Sequence, residues 1–151
     1  MLRPRPDASE IGRACDVLRS ARRPLIIAGG GVHYSQAEAE LRAFAEAHQI
    51  PVVETVAGKA SLVAEHPLNA GPVGVTGCTS ANALAARADV VIALGTRLQD
   101  FTTGSWTIFQ HEEVKFIGVN TARFDAIKHL SHAVVRSEEQ TSELQSNLNL
   151  V

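Results

Sequence analysis

The run Pro24–Ser35, PLIIAGGGVHYS, narrows the choice of fold more than any other stretch of this chain. Pro24 sets an extended entry, Leu25, Ile26, Ile27 and Ala28 form a short continuous apolar run, and Gly29, Gly30 and Gly31 follow at once. Such a run closed by glycines predicts a buried strand that ends in a tight turn. Behind the turn, Ser35 and Glu38 stand at the S-x-x-E spacing in which a hydroxyl and a carboxylate reciprocally satisfy the free amides of a helix start. Strand, glycine turn and helix make a first β-α unit that can accept an anion or nucleotide phosphate at Gly30 and Gly31.

The rest of the chain repeats the alternation. Asp7 and Glu10 open a helix that runs to Ser20 and carries Ile11, Ala14, Cys15 and Leu18 on one side, which makes Cys15 a core residue. Gln36 to His48 follows the glycine turn as a second helix, with Ala37, Leu41, Phe44 and Ala45 at helical spacing and His48 as a cation favoured by the dipole at its end. Pro51 restarts the chain as a strand, Val52 to Val56. Glu54 lies near its carboxyl end, where a nucleotide-binding fold places its ribose acid, although Tyr34 stands where the third glycine of G-x-G-x-x-G belongs.

Ala57 to Thr79 has no sustained period and carries Gly58, Gly71, Gly74, Gly77, Pro67 and Pro72, so it predicts a long irregular connection. His66 is a turn residue on this pattern. Ser80 to Ala88 is a helix, and Val90 to Leu94 is a strand that ends in Gly95, Thr96 and Arg97. Gly95 and Arg97 suit a phosphate or carboxylate contact at the end of a parallel strand; an Arg that caps or pairs at an interface fits the same residues. Trp106, in the polar loop Phe101–Phe109, suggests a partner surface. Val114 to Val119 is a further strand and Thr121 to Leu130 a closing helix. Short connections between alternating elements predict an α/β domain, an open parallel sheet of about six strands with helices on both faces.

Composition removes several functions. The 151 residues carry a formal charge of -2, which gives no electrostatic case for nucleic acid or an anionic membrane surface. Two cysteines, Cys15 and Cys78, form no framework and no C-x-x-C pair, so a reduced, cytoplasmic setting is expected. No apolar run reaches the length of a membrane span, and MLRPRPDASE has no signal-peptide centre.

Taken in order, GGGVHYSQAEAEL, IPVVETVAGKAS, HPLNAGPVGVTGCTSAN, ARADVVIALGTRLQDFTTGSW and FIGVNTARFDAIKH resemble the Rossmann-like central domain of thiamine-diphosphate enzymes of the acetolactate synthase superfamily. The resemblance runs from Asp7 to Val135. GTRLQDFTTGSW and VNTARFDAIKH are most similar to the trihydroxycyclohexane-1,2-dione hydrolases, which open a ring in myo-inositol breakdown. Acetolactate synthases would show a segment nearer GARFDDR and an I-D-I-D-P run. Leu98, Gln99, Asp100 and Gly118 to Thr121 depart from both, which counts against an FAD site.

The resemblance implies a three-domain enzyme in which thiamine diphosphate and magnesium are bound by the first and third domains, outside this chain. Residues 1–135 would then be a central scaffold domain, inactive alone, whose partners are the missing amino- and carboxyl-terminal domains and further copies in a homo-oligomer. Its contribution near a ligand would come from Arg97. A free-standing nucleotide-binding module, taking FAD or ADP, and the central domain of an acetolactate synthase-like carboligase are the alternatives. A domain cut from such an assembly should also leave apolar surface bare, with the Gly71–Thr79 and Phe101–Phe109 loops as candidates.

Arg136 to Ser146, RSEEQTSELQS, resembles the translation of a common sequencing-library adapter, RSEEHTSELQS, and has no hydrophobic period. Residues 136–151 are therefore expected to be non-native or disordered. Without them, basic and acidic residues balance.

Overall fold

The computed structural model describes residues 7–127 and 131–135. The expectations for residues 136–151, and for the end of the closing helix at 128–130, fall outside them. In chain order come α1 (Ala8–Arg19), β1 (Pro24–Ala28), α2 (Gly30–Tyr34), α3 (Glu38–His48), β2 (Val52–Glu54), a 3-10 turn (Val56–Gly58) and β3 (Asn69–Pro72). Then follow α4 (Thr79–Arg87), β4 (Val90–Leu94), α5 (Asp100–Thr103), β5 (Lys115–Asn120), α6 (Arg123–Ala126) and β6 (His132–Val135).

The six strands form one open sheet in the order β3-β2-β1-β4-β5-β6, and every neighbouring pair is parallel. Ile26 sits between Val52 and Ile92, so β1 and β4 occupy the middle of the sheet. Their side chains alternate between the two faces, which is why a strand covered on both sides is apolar throughout. Ile26, Ala28, Ile92 and Leu94 pack with Ile11, Ala14 and Cys15 of α1, Val32 of α2, and Leu41 and Phe44 of α3. Leu25, Ile27, Val91 and Ala93 pack with Ala81 and Ala85 of α4 and with Leu98. This is the α/β architecture that the pattern predicts.

Several local expectations change. Ser35 does not open a helix: Gly29 caps α2, the chain turns helical at Gly30, and Ser35 ends that helix. The second helix starts at Glu38 behind Ala37, which supplies no side-chain cap, after Gln36 takes a left-handed φ of 55°. At α1, Asp7 Oδ1 accepts the Ser9 N–H at 2.9 Å as expected. Glu10 instead accepts the Val135 N–H at 3.4 Å, which fastens α1 to β6. β2 stops at Glu54 because Thr55 Oγ1 accepts the Gly58 N–H at 3.1 Å and turns the chain.

β3 lies inside the stretch expected to be irregular. Asn-Ala-Gly-Pro is a poor strand by propensity, and it is one only because it pairs with β2 at the sheet edge, where proline is tolerated. Trp106, expected at a partner surface, is half-buried. Its ring centroid lies 5.6 Å from Phe109 and 5.3 Å from Phe116, so it closes the core beneath β5.

His48 ends α3, but its surroundings disfavour the cation there. It stacks 4.9 Å from Phe44, its buried Nε2 has no hydrogen-bond partner among the described residues, and burial lowers its pKa from 6.5.

Candidate functional site

In a parallel sheet all carboxyl ends lie along one edge, and the strand order here reverses between β1 and β4. The loops that meet at that switch point carry Gly30, Gly31, Gly95 and Arg97. Gly29 N–H donates to Leu94 O at 2.8 Å, Gly31 N–H to Gly95 O at 3.0 Å, and Gly95 N–H to Val119 O at 2.9 Å. The loops after β1 and β4 are thus laced to each other and to β5. A Cβ on Gly29 would lie 2.6 Å from Thr96 Cβ and against the Gly95 carbonyl, so glycine is required here for close approach.

Arg97 stands apart from this joint, exposed. With the Gln99 amide oxygen turned toward it, Gln99 accepts from Arg97 Nε at 3.3 Å and Nη2 at 2.9 Å. The structure therefore brings Gly30, Gly31 and Gly95 together and holds Arg97 at the rim. Glu54 does reach the same edge, at the carboxyl end of β2, but it is buried and its Oε1 accepts the Leu62 N–H at 3.1 Å. It closes its own loop.

Sequence spacing did not single out His33. Its Nδ1 lies 2.7 Å from Glu38 Oε1 and its Nε2 2.9 Å from Lys59 O, with Ser61 Oγ at 3.4 Å. Ser61 Oγ itself donates to Gly58 O at 2.7 Å. Glu38 and His33 sit on two helices separated by a break, so no single helical period could pair them. The close Glu38 carboxylate raises the His33 pKa above 6.5, against the opposing effect of burial, and the Lys59 carbonyl adds to the rise. With both ring nitrogens facing acceptors, the ring is a clamp across α2, α3 and the 56–61 loop and not a base for Ser61.

His33 and His48 give opposite pH dependences. The protonated His33 contributes fully below the unfolded value of 6.5, and its contribution is lost as pH rises through its raised folded pKa. The neutral His48 contributes fully above 6.5 and loses its contribution as pH falls, because the unfolded chain takes up that proton first. Ring-proton NMR should show the His33 midpoint above 6.5 and the His48 midpoint below it. Glu38→Gln should bring the first back toward 6.5 and leave the second in place; equal midpoints in the parent would refute both assignments.

The two thiols also divide. Cys15 is buried in the core, whereas Cys78 caps α4 with its Sγ 3.1 Å from Ser80 Oγ. The Ser80 hydroxyl lowers the Cys78 pKa, against burial, with help from the amides of Ala81, Cys78 and Ser80. A neutral-pH alkylating agent should modify Cys78 about tenfold or more faster than Cys15, read by mass spectrometry.

The family model for the thiamine pyrophosphate enzyme central domain matches residues 11–140. A 3D-(3,5/4)-trihydroxycyclohexane-1,2-dione hydrolase of Clostridium perfringens (strain ATCC 13124) is 45% identical over 150 residues, covering 96% of this chain and 24% of the relative. A second hydrolase of that name, from Bacillus cereus, is 42% identical over 146 residues, 93% of this chain and 23% of the relative. A third, from another Bacillus cereus strain, is 45% identical over 123 residues, 82% of this chain and 19% of the relative. The chain thus spans about a quarter or less of the length of these relatives. With its all-parallel six-stranded sheet and a family match over most of its length, the chain belongs to the central domains of the thiamine pyrophosphate enzymes.

Proposed function

We propose that this chain is the central scaffold domain of a thiamine-diphosphate- and magnesium-dependent hydrolase that opens the ring of trihydroxycyclohexane-1,2-dione in inositol breakdown. Identities of 42% and 45% to hydrolases of that name, over most of this chain, carry the reading. Residues 1–135 are read as the domain and residues 136–151 as a non-native tail, against which stand a family match that runs to residue 140 and a relative that covers 96% of the chain. The full enzyme is a cytoplasmic homo-oligomer; among the described residues no helix is long and apolar enough to cross a membrane.

The domain does not catalyse alone. Its described residues do not fit thiamine diphosphate and magnesium: the Gly29 and Gly31 amides are engaged, and Glu54 is bonded to Leu62. No three His, Cys, Asp or Glu side chains among them form a metal-ligand group. The missing amino- and carboxyl-terminal domains hold cofactor and metal, and this domain supplies a rigid edge between them. Choice of the dione over an acetolactate-type carboligation is set in those domains.

A free-standing nucleotide-binding module is the second reading, supported by a strand order that reverses between β1 and β4, the kind of crevice in which open α/β sheets take nucleotides. Calorimetric titration of the chain with FAD, ADP and NAD separates the two. The scaffold reading expects no binding tighter than about 1 mM, and tighter binding of any one would put the module first. Resequencing the locus with an unrelated library chemistry adds a second arm. A reading frame open on both sides into further domains supports the scaffold, and stop codons on both sides defeat it.

A further inference from the structure

Three neighbouring strands begin level with one another at the amino ends of the sheet: Pro24 of β1 pairs with Val90 of β4, and Val90 with Lys115 of β5. The segments that lead into them therefore lie side by side, and Asp89 ties them together. Its Oδ2 accepts the Arg22 N–H at 2.7 Å and its Oδ1 the Arg23 N–H at 2.9 Å. Its own N–H donates to Arg23 O at 3.2 Å, and its carbonyl accepts the Lys115 N–H at 2.9 Å. The backbone that carries Arg22, Arg23 and Lys115 is thus fixed whatever their side chains do.

Between these segments lies a cavity of about 320 Å³, with Arg22, Arg23, Asp89, His111, Glu113 and Lys115 in its lining. Both Asp89 oxygens are taken by amides, so this carboxylate braces the wall. Among the described residues Arg22, Arg23 and Lys115 form no ion pair, and Glu113 pairs with none of them. His111 Nδ1 accepts the Glu113 N–H at 3.3 Å, which leaves Nε2 as the donor of that ring. The opening therefore gathers two guanidinium groups, an ammonium and a ring N–H against one uncommitted carboxylate. Cations collected in a cleft without partners concentrate anions there, and guanidinium forks match the oxygens of phosphate.

We infer that this cavity at the amino ends of β1, β4 and β5 binds the phosphate group of a small anion through Arg22, Arg23 and Lys115. It is a different place from the glycine crevice, which lies at the opposite ends of β1 and β4. The inference goes beyond the proposed reaction and does not depend on it, since it uses only residues of this chain. The volume sits at the lower end of small-molecule pockets, which suits inorganic phosphate or a sugar monophosphate and not a dinucleotide.

The test titrates the isotope-labelled 151-residue chain with inorganic phosphate, glucose 6-phosphate and malonate, with ionic strength held constant by sodium chloride, and follows its amide NMR shifts. At least one of the two phosphate probes should saturate with a Kd of about 0.1–1 mM, with shifts centred on segments 20–23, 89–90 and 111–115. Equal affinity of the two would name free phosphate as the source, and glucose 6-phosphate tighter by about tenfold would name a phosphomonoester. The double variant Arg22→Ala and Arg23→Ala keeps its amides on Asp89 and should bind about tenfold more weakly, whereas Arg42→Ala, outside the cavity, should stay within about twofold.

No saturation by either phosphate probe below about 10 mM would overturn the inference, as would shifts centred on segments 29–31 and 95–97, or a double variant that binds like the parent. Malonate as tight as phosphate would overturn the assignment to phosphate. Should the chain not stay folded in isolation, residues 7–135 are carried in the full-length Clostridium perfringens hydrolase. Slower amide exchange at segments 20–23 and 111–115 with about 20 mM of each probe then replaces the shifts, and the same outcomes decide.

Discussion

Gly58→Ala is expected to destabilise the domain by about 3 kcal/mol, at the upper end of the cost of forcing one methyl group into a filled site. Gly58 has no left-handed φ to lose, so the effect is one of space alone. An added Cβ would lie 2.7 Å from Ala28 C and 3.0 Å from Gly29 Cα, and closer still to the Ala28 carbonyl oxygen. All three atoms are backbone, and none can rotate away. They belong to the end of β1, which pairs with β2 on one side and β4 on the other, so yielding would disturb both ladders. With an ordinary urea dependence of about 2 kcal/mol/M, the midpoint should fall by about 1.5 M. Gly12→Ala is the control. No atom lies within 4 Å of its added Cβ, and on α1 the same change should raise stability by about 0.5–1 kcal/mol through helix propensity. A Gly58→Ala midpoint within about 0.3 M of the parent would mean that the loop can move off β1, contrary to the packing described.

Phe44→Ala should cost about 3–5 kcal/mol, a large share of the about 5–15 kcal/mol that holds a domain of this size together. Phe44 heads the fully buried side chains and packs between α3 and the sheet, so its removal leaves a cavity that rigid neighbours cannot refill. A second readout separates this from a general loosening. Phe44 covers His48, whose pKa is held down by burial alone. If water enters the new cavity, the His48 midpoint should rise toward 6.5 while that of His33, held by Glu38 on the other end of the helix, stays where it was. Loss of stability with an unmoved His48 midpoint would show that the cavity stays dry.

The same two residues show how far a one-dimensional pattern reaches. Phe44 was legible as core because Leu41, Phe44 and Ala45 recur at helical spacing, and a helix that rests on a sheet must bury that stripe. The charge state of His48 was not legible. The dipole at a helix end favours a cation, but Phe44 and the buried surroundings of Nε2 outweigh it, and neither is a property of the last turn alone. Ser35 failed as a cap for a related reason. Three glycines in a row let the backbone turn helical at Gly30, earlier than any hydroxyl could direct it, and Glu38 then found His33.

At the candidate site the glycines were visible but their use was not. An apolar run ending in Gly29–Gly31 and another ending in Gly95 marked the carboxyl ends of two parallel strands, and the sheet does bring them together. That the amides of Gly29 and Gly31 spend their hydrogen bonds on Leu94 and Gly95 depends on β4 lying beside β1, a neighbour more than sixty residues away. The apolar loops followed the same division. Val75 and Phe101 are bare as expected, whereas Trp106 is drawn inward by Phe109 and Phe116.

The sequence by itself determined the class of fold, the central strands β1 and β4, the helices α1, α3 and α4, and the family to which the motifs belong. Each of these rests on residues close in the chain, where the 3.6 period, the unbroken apolar run and the glycine stop are written directly. Tertiary structure alone decided that Asn69–Pro72 is a strand, that His33 is a clamp and that Gly58 tolerates no side chain. Those outcomes depend on which distant segments a parallel sheet sets side by side, and contact across a ladder leaves no periodic trace in either strand.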